Sequence, residues 1–592
     1  MKRSTYIWSL LVGCVAFATS CDLTEDVQVK ADKSMIFGSK SGLELYSNSF
    51  YKALPTLKNG FMQDKMCDVG AVSNTDTFIK RGAYNTETAT SWSWGALKNV
   101  NYFIDGCNDP KYCTVEAETR DNYLGIARWF RAWFYYDKLT TYGEVPWFPN
   151  DIQSYQNDVM YKDRDSRDVI IRNLIADLDF AYEHIQATSS TGSATLTRWA
   201  AAALKSRVCL FEAAYRRYHN LTGLEITPEE LYREAAKAAK LVIDNSGCSL
   251  NTAAGKKGAY RDLFYSETPL TQEVILAVCA NEKSGIFGEQ NWWFNARSYG
   301  LCWSLVRSFV HTYLKQDGTP FTAAADYAVK SFAEEMEGRD LRLEQTVRGR
   351  NFLWDGKTAV ADIKNLSLTG YQVIKYTLDE SKYDGGAKNI NSIPLIRYAE
   401  VLLNYAEAQA ELGVITDSEW ALTVGALRKR AGITGGMETL PTTVDSYLQR
   451  TFYPDVTSPV LLEIRRERAI ELVAEGMRFD DLRRWKCGSL METLPWSGIH
   501  IPGLEQPVDV NGDGVNDYYF TEGEVASAPA AYKNIAVRVN QDGVGLYAEA
   551  NPVSGYDLVY KTGAGDRYWY PDGRQYLYPI PAKVIRDYRN AG

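Results

Sequence analysis

Two aromatic segments hold the residue types best suited to ligand chemistry. Ser91-Trp-Ser-Trp94 is followed by Asn99 and Asn101, and Asn291-Trp-Trp-Phe-Asn295 by Arg297, Tyr299 and Trp303. Both sit in loop-like context. Flat aromatic rings stack on the apolar C–H face of a pyranose, while Asn, Gln, Arg and Asp hydrogen-bond its hydroxyls. That combination is what sugar recognition needs; the alternative is that each ring packs or anchors a loop. The chain has fifteen Trp and thirty-nine Tyr, and many have a packing explanation. Trp129, Trp133, Tyr135 and Trp199 fall in helical periodicity and are expected in the core.

A third constellation is chemical. Asp509-Val-Asn-Gly-Asp-Gly-Val-Asn-Asp517 sets oxygen donors at alternating positions, with Gly514 at the sharp turn. This is the first part of an EF-hand-type calcium loop: Asp509, Asn511, Asp513, the Val515 carbonyl and Asp517. Phe520 stands at the twelfth position, where a bidentate Glu belongs, and Glu522 or Glu524 would have to substitute. The other reading is an Asx/Gly turn without metal. Any calcium would be structural, and no other cofactor is expected.

Catalytic patterns are missing. The four histidines, His184, His219, His311 and His500, are far apart, and the chain has no GxSxG, HExxH or GxGxxG. Gly356-Lys-Thr358 ends like a phosphate-binding loop, but Asn351 stands where the first Gly should be. Carboxylates are abundant, so a glycosidase pair stays open as an alternative, although nothing singles out two of them. Beyond residue 21 the cysteines are scattered at 67, 107, 113, 209, 248, 279, 302 and 487, with no CxxC and no His at metal-ligand spacing. Cys209 and Cys279 lie in apolar runs and read as buried small hydrophobes. Cys107 and Cys113 flank a turn and could form a disulfide in an oxidising compartment.

The elements that must position these groups are mainly helical. One block runs from about residue 40 to 245, with helices expected at Leu43–Ala53, Glu116–Thr141, Ser166–Ile185, Thr197–Arg217 and Pro228–Asp244. Ser166 is a good N-cap, and Thr227-Pro-Glu-Glu230 is a strong start signal. The second block runs from 393 to 487. Small residues in Tyr232–Val242 would let helices approach closely, in a tetratricopeptide-like manner, although the period is irregular. Residues 246–392 and 488–592 are rich in Gly, Asn, Asp, Ser and aromatics and read as long loops with small hairpins. They are too long to be simple connections and form a candidate functional surface.

The stretch Glu463-Ile-Arg-Arg-Glu-Arg-Ala-Ile-Glu-Leu-Val-Ala-Glu-Gly-Met-Arg-Phe-Asp-Asp-Leu-Arg-Arg-Trp485 reads as helix, Gly476 stop, helix. Ile464, Ile470, Val473 and Met477 share one face. The alternating charges are expected to form a salt-bridged packing face rather than a binding patch, since charge runs are ordinarily solvated. This block resembles the SusD/RagB family of lipid-anchored, outer-membrane nutrient-binding proteins of the Bacteroidetes type. Arg128–Trp147, Leu305–Gly318, Ile393–Ala408 and Tyr576–Pro581 are also similar to that family, in the same order. The resemblance implies a non-catalytic scaffold of helix pairs that captures an oligosaccharide, or in some relatives a peptide. The ligand then passes to a SusC-like TonB-dependent transporter, which the protein covers like a lid. Carried onto this sequence, it implies ligand contacts at Trp92, Trp94, Asn101, Trp292, Trp293 and Tyr299.

The first residues agree with such a location. Lys2 and Arg3 precede an apolar run, Tyr6 to Ala18, too short for an ordinary membrane span. Cys14 follows the closer lipobox, Leu11-Val-Gly, but cutting there strands Val15–Ala18 in the mature tail. Cys21 is therefore the expected lipidation point, with residues 1–20 a signal peptide, 21–34 a tether and 35–592 a single domain. Asp22, Glu25 and Asp26 resemble the surface-export signal of Bacteroidetes lipoproteins. Loss of Lys2 and Arg3 takes the formal charge from −9 to −11. That argues against nucleic acid and against adhesion to anionic lipid.

Overall fold

The computed structural model describes residues 33–58, 64, 66–153, 155–295, 302–561 and 564–591. Its main helices are α1 Lys40–Ser47, α2 Gly95–Asn108, α3 Ala117–Tyr142, α4 Arg167–His184, α5 Arg198–Tyr218, α6 Pro228–Asn245, α7 Tyr398–Glu411, α8 Pro459–Glu471, α9 Arg478–Arg484 and α10 Ala582–Ala591, with further helical segments between them, among them Ser446–Phe452 and the consecutive Asp417–Trp420, Ala421–Gly425 and Ala426–Arg430. The expected starts are realised chemically. The Ser166 hydroxyl accepts from Val169 N–H. Thr227 and Glu230 form a reciprocal capping box ahead of Pro228, with Thr227 N–H donating to Glu230 Oε2 at 2.7 Å.

Helices α2 to α8 stack in series, each against its neighbour. Small side chains permit this. Helix α5 buries Ala200–Ala203, Ala213 and Ala214, and α6 buries Ala235, Ala236, Ala238 and Ala239, so the two backbones approach closely. Trp129 and Tyr135 are fully buried, as expected, whereas Trp133 and Trp199 are only half-buried.

The strands are short. Strand β1 (Val274–Val278) pairs antiparallel with β2 (Ile393–Arg397), which leads directly into α7. A second sheet joins β3 (Ser497–Ile501), β4 (Leu546–Ala550) and β5 (Tyr556–Tyr560) in the order β4-β5-β3. Asp355 and Gly356, both at positive φ, turn the small hairpin Leu353–Trp354/Lys357–Thr358, as a type I′ connection requires. The phosphate-loop-like Gly356-Lys-Thr358 is therefore a hairpin turn. One hydrophobic cluster runs from Phe37 to Tyr576 and takes in both helical blocks and the loop-rich regions.

The charged block forms the salt-bridged packing face expected of it, and that face is buried rather than solvated. Arg466, Glu467, Arg468 and Glu471 are at most 3% exposed. Glu471 accepts from Arg342 (2.8 Å), Arg397 (2.6 Å) and Arg430. Arg397 and Arg430 also hold Glu273 on the β1 side. Burial alone would raise the Glu471 carboxyl, yet Arg430, Arg397 and Arg342 hold it well below the usual range. The buried network is a clamp between α8, the paired strands β1 and β2 and the 340–342 segment. Helix α8 ends at Glu471, before the expected Gly476 stop; the chain turns left-handed at Ala474 (φ +67), and buried donors take up carbonyls in this segment. Arg397 and the Tyr260 hydroxyl reach Glu471 O, and Lys375 reaches Val473 O. Gly476 (φ +81) turns the following segment into α9. Cys107 and Cys113 are free thiols, so the disulfide considered from sequence is not formed.

Candidate functional site

Trp92 and Trp94 lie just before α2 with ring centroids 5.4 Å apart, edge to face. Trp94 packs on Phe134, Tyr135 and Phe148, and Trp92 on Tyr142. Both are half-buried and line a cavity of about 690 Å³ between the start of α2, residues 148–161 and α10. Asn101 is on the far side of α2 from solvent. It is 1% exposed, and its amide nitrogen donates to Phe148 O (2.8 Å) and Asn150 O (3.0 Å). The amide nitrogen braces the 148–150 segment, while Asn101 is among the residues that line the cavity and its Oδ1 has no hydrogen-bond partner.

Trp292 and Trp293 stand at 5.1 Å from each other and are half-buried. Trp293 Nε1 donates to Glu289, which also pairs with Lys58. Their neighbours Asn291 and Asn295 are buried and internally bonded. Asn291 exchanges hydrogen bonds with the Leu378 backbone, and Asn295 donates to Asp384. Those planar amides shape the loop rather than face a ligand. Tyr299, and the signal peptide and Cys21 with it, lie outside the described residues. Neither this cavity nor the cleft described next is lined by Trp292 or Trp293, so the two aromatic segments do not share one wall.

Sequence reasoning missed the larger feature, a cleft of about 1110 Å³ between the 49–55 turn, α2, α3 and the 475–483 segment. Trp133 and Phe134 line it, with Ser91, Asp137, Lys138, Thr141, Asp480 and Tyr578 among the other groups. Trp133 lies on Trp129 at 5.4 Å, nearly parallel. The Asp137 carboxylate is 65% exposed. Rings beside hydroxyls and carboxylates on an open wall can stack on and hydrogen-bond a hydroxyl-rich ligand. Trp129 and Trp133 are one turn apart on one helix face, so spacing alone assigns both to the core, and only the packing shows Trp133 half-buried.

The histidines do not form a catalytic centre. His311 Nε2 meets Glu335 (2.9 Å) inside a buried cluster with Arg307 and Tyr371. Burial depresses His311, while Arg307 and His311 hold the equally buried Glu335 carboxyl down at about 2. Burial also lowers His219 to about 4, assisted by Lys486 and Arg167; its ring stacks on Tyr215 and its Nε2–H donates to Arg483 O.

In the 509–517 loop, Asp509 accepts from Gly512 and Gly514 N–H, Asp513 from Val515 N–H, and Asp517 from Val510 N–H, all at 2.7–2.9 Å. Partial burial, with Asp509 and Asp513 adding to it, raises the Asp517 carboxyl. Crowded carboxylates suit a cation. The rest of the donor set fits less well. Phe520 is fully buried, Glu522 accepts from Asn540 and Glu524 from Arg538, so no Glu closes the loop. Among the described residues, no group of three or more His, Cys, Asp or Glu is arranged to hold a metal.

The SusD family model matches residues 272–590. A SusD-like protein from Bacteroides fragilis is similar at 21% identity and TM-score 0.65, covering 94% of this chain and 97% of that one. A second B. fragilis structure, described as a SusD-like carbohydrate-binding protein, is 19% identical with TM-score 0.67, covering 94% and 99%. A SusD homolog from Bacteroides thetaiotaomicron is 16% identical with TM-score 0.59, covering 95% and 98%. At these identities the structures establish the fold. No curated protein matches the chain. Among the described residues, no helix is long and apolar enough to cross a membrane.

Proposed function

The chain belongs to the SusD family, and on that premise we propose that it captures an oligosaccharide and passes it to a TonB-dependent outer-membrane transporter without making or breaking a bond. The observation that carries this reading is the 1110 Å³ cleft, where Trp133 and Phe134 stand beside Ser91, Asp137, Thr141 and Asp480. A neutral, hydroxyl-rich ligand would stack on the rings and bond to the rim. Affinity in such an open, wet site is on the order of micromolar to millimolar. The Trp292–Trp293 pair offers a second stacking surface. The carbohydrate-binding description of the second B. fragilis structure supports the ligand class.

The same reading places a lipid on Cys21, anchors residues 35–592 as one domain at the outer membrane, and sets the transporter against the helical stack. The continuous core from Phe37 to Tyr576 supports the single domain. A calcium ion in the 509–517 loop, held by Asp509, Asn511, Asp513, Val515 O and Asp517, would stiffen that loop. The test is calorimetry with Trp133→Ala and Trp292→Ala against the parent, using a panel of oligosaccharides. Loss of heat in Trp133→Ala alone assigns the cleft, and loss in Trp292→Ala alone assigns the loop pair. Binding confined to peptides would replace the glycan with the peptide reading.

A further inference from the structure

The second cavity has a chemistry different from the cleft. Its wall is built from Trp92, Trp94, Phe148, Met160, Tyr161 and Tyr588. Several of the polar groups along it are already used, while Thr90, Lys583, Asp587 and the Asn101 side-chain oxygen, which has no hydrogen-bond partner, remain on the lining. Lys98 Nζ is bonded to Asp151 (2.8 Å) and to Ile152 O (2.9 Å). Asn150 donates to Asp105 (2.8 Å), and the Asn101 amide nitrogen is held by two carbonyls. Most of the wall is aromatic or aliphatic, so a pyranose placed here would exchange water for few partners relative to its several hydroxyls. A flat apolar ring has no such requirement and meets aromatic edges and faces on several sides, which is the favoured geometry for ring–ring contact. The volume, about 690 Å³, falls within the roughly 300–1,000 Å³ of small-molecule sites.

Helix α10 supplies the outer wall. Val584 and Tyr588 line the cavity, and Tyr588 meets Tyr161 edge to face at 5.3 Å. Lys583, Arg586, Asp587 and Arg589 are exposed on the helix. Its attachment to the opposite segment is light: Ala582 N–H donates to Thr86 O, and Arg586 approaches Glu87 at 3.5 Å, both side chains exposed. Such a wall can admit a ligand by local opening without disturbing the helical stack.

We propose that this cavity binds a flat aromatic ring system, free or as the aglycone of a glycoside, at a site separate from the oligosaccharide cleft. The inference does not rest on the transport reading. The test uses 2-naphthol and 2-naphthyl β-glucoside, followed by calorimetry. Saturable one-to-one binding is expected. It should weaken at least tenfold in Val584→Asp, which sets a carboxylate into the apolar wall from a peripheral helix, and in Tyr588→Ala; far-ultraviolet circular dichroism checks that both variants fold. Tighter binding of the glucoside would identify an aglycone as the source, and equal binding a free aromatic. Absence of saturable binding by both compounds would overturn the proposal. So would binding indifferent to both substitutions, or displacement of the naphthol by an oligosaccharide lacking any aromatic group.

Discussion

Glu471→Gln probes the buried clamp directly. The carboxylate is fully buried and receives three guanidinium groups, from Arg342, Arg397 and Arg430. Gln keeps the shape but removes the charge and turns one acceptor into a donor facing cations. Removing one partner of a buried ion pair costs about 3–5 kcal/mol, because the remaining charges stay desolvated without compensation. Melting temperature is a poor reporter here. With about 2.1 cal/mol/K of unfolding entropy per residue, a chain of 592 residues moves only about 1 °C per kcal/mol. Hydrogen exchange is better suited. If the loss falls on the opening of α8 and the 472–484 segment, protection there drops roughly a hundred- to several-thousand-fold, since each 1.4 kcal/mol is a factor of about 10. The exposed pair Lys240–Asp244 is the control. Asp244→Asn should cost less than about 0.5 kcal/mol and leave these peptides unchanged. Equal protection in the Glu471→Gln and Asp244→Asn proteins would refute the clamp.

Three further outcomes are expected. His219 has a folded pKa near 4 against an ordinary 6.5. Its neutral form is favoured in the folded state, so its contribution is full above pH 6.5 and is lost as pH falls toward 4, by at most about 3 kcal/mol. Urea midpoints at pH 7.5 and 4.5 should therefore converge in His219→Phe relative to the parent; identical pH slopes would contradict this. Thr227→Ala removes the capping box and should cost about 1 kcal/mol, visible as faster exchange in residues 228–234 and nowhere else. Calcium added to EDTA-treated protein should slow hydrogen exchange in residues 509–517 and do nothing in Asp513→Asn; a parent indifferent to both EDTA and calcium means the loop is a metal-free Asx turn.

Local signals carried the helical scaffold well. Caps such as Ser166 and Thr227 act on the next three residues, so they are visible in sequence. The burial of Glu467 and Glu471 was not, because partners such as Arg342 and Arg397 lie on other elements up to about 130 residues away. The aromatic segments were half legible. Residue type marked Trp92, Trp94, Trp292 and Trp293 as half-exposed rings, but which cavity each faces depends on tertiary packing. Asn101 shows the same limit: spacing does not reveal that its amide nitrogen is taken by carbonyls at 148 and 150 while its oxygen is left without a partner. Trp133 was hidden by periodicity, which gives a helix face but not how far the neighbouring layer covers it.

The central claim is capture without turnover. Residues 22–592 should be titrated calorimetrically with a panel of plant and host oligosaccharides, and each mixture then analysed for products. The account predicts saturable binding to at least one glycan class with every oligosaccharide recovered intact. Hydrolysis of the bound glycan, or heat of binding from none of the glycans, would contradict it.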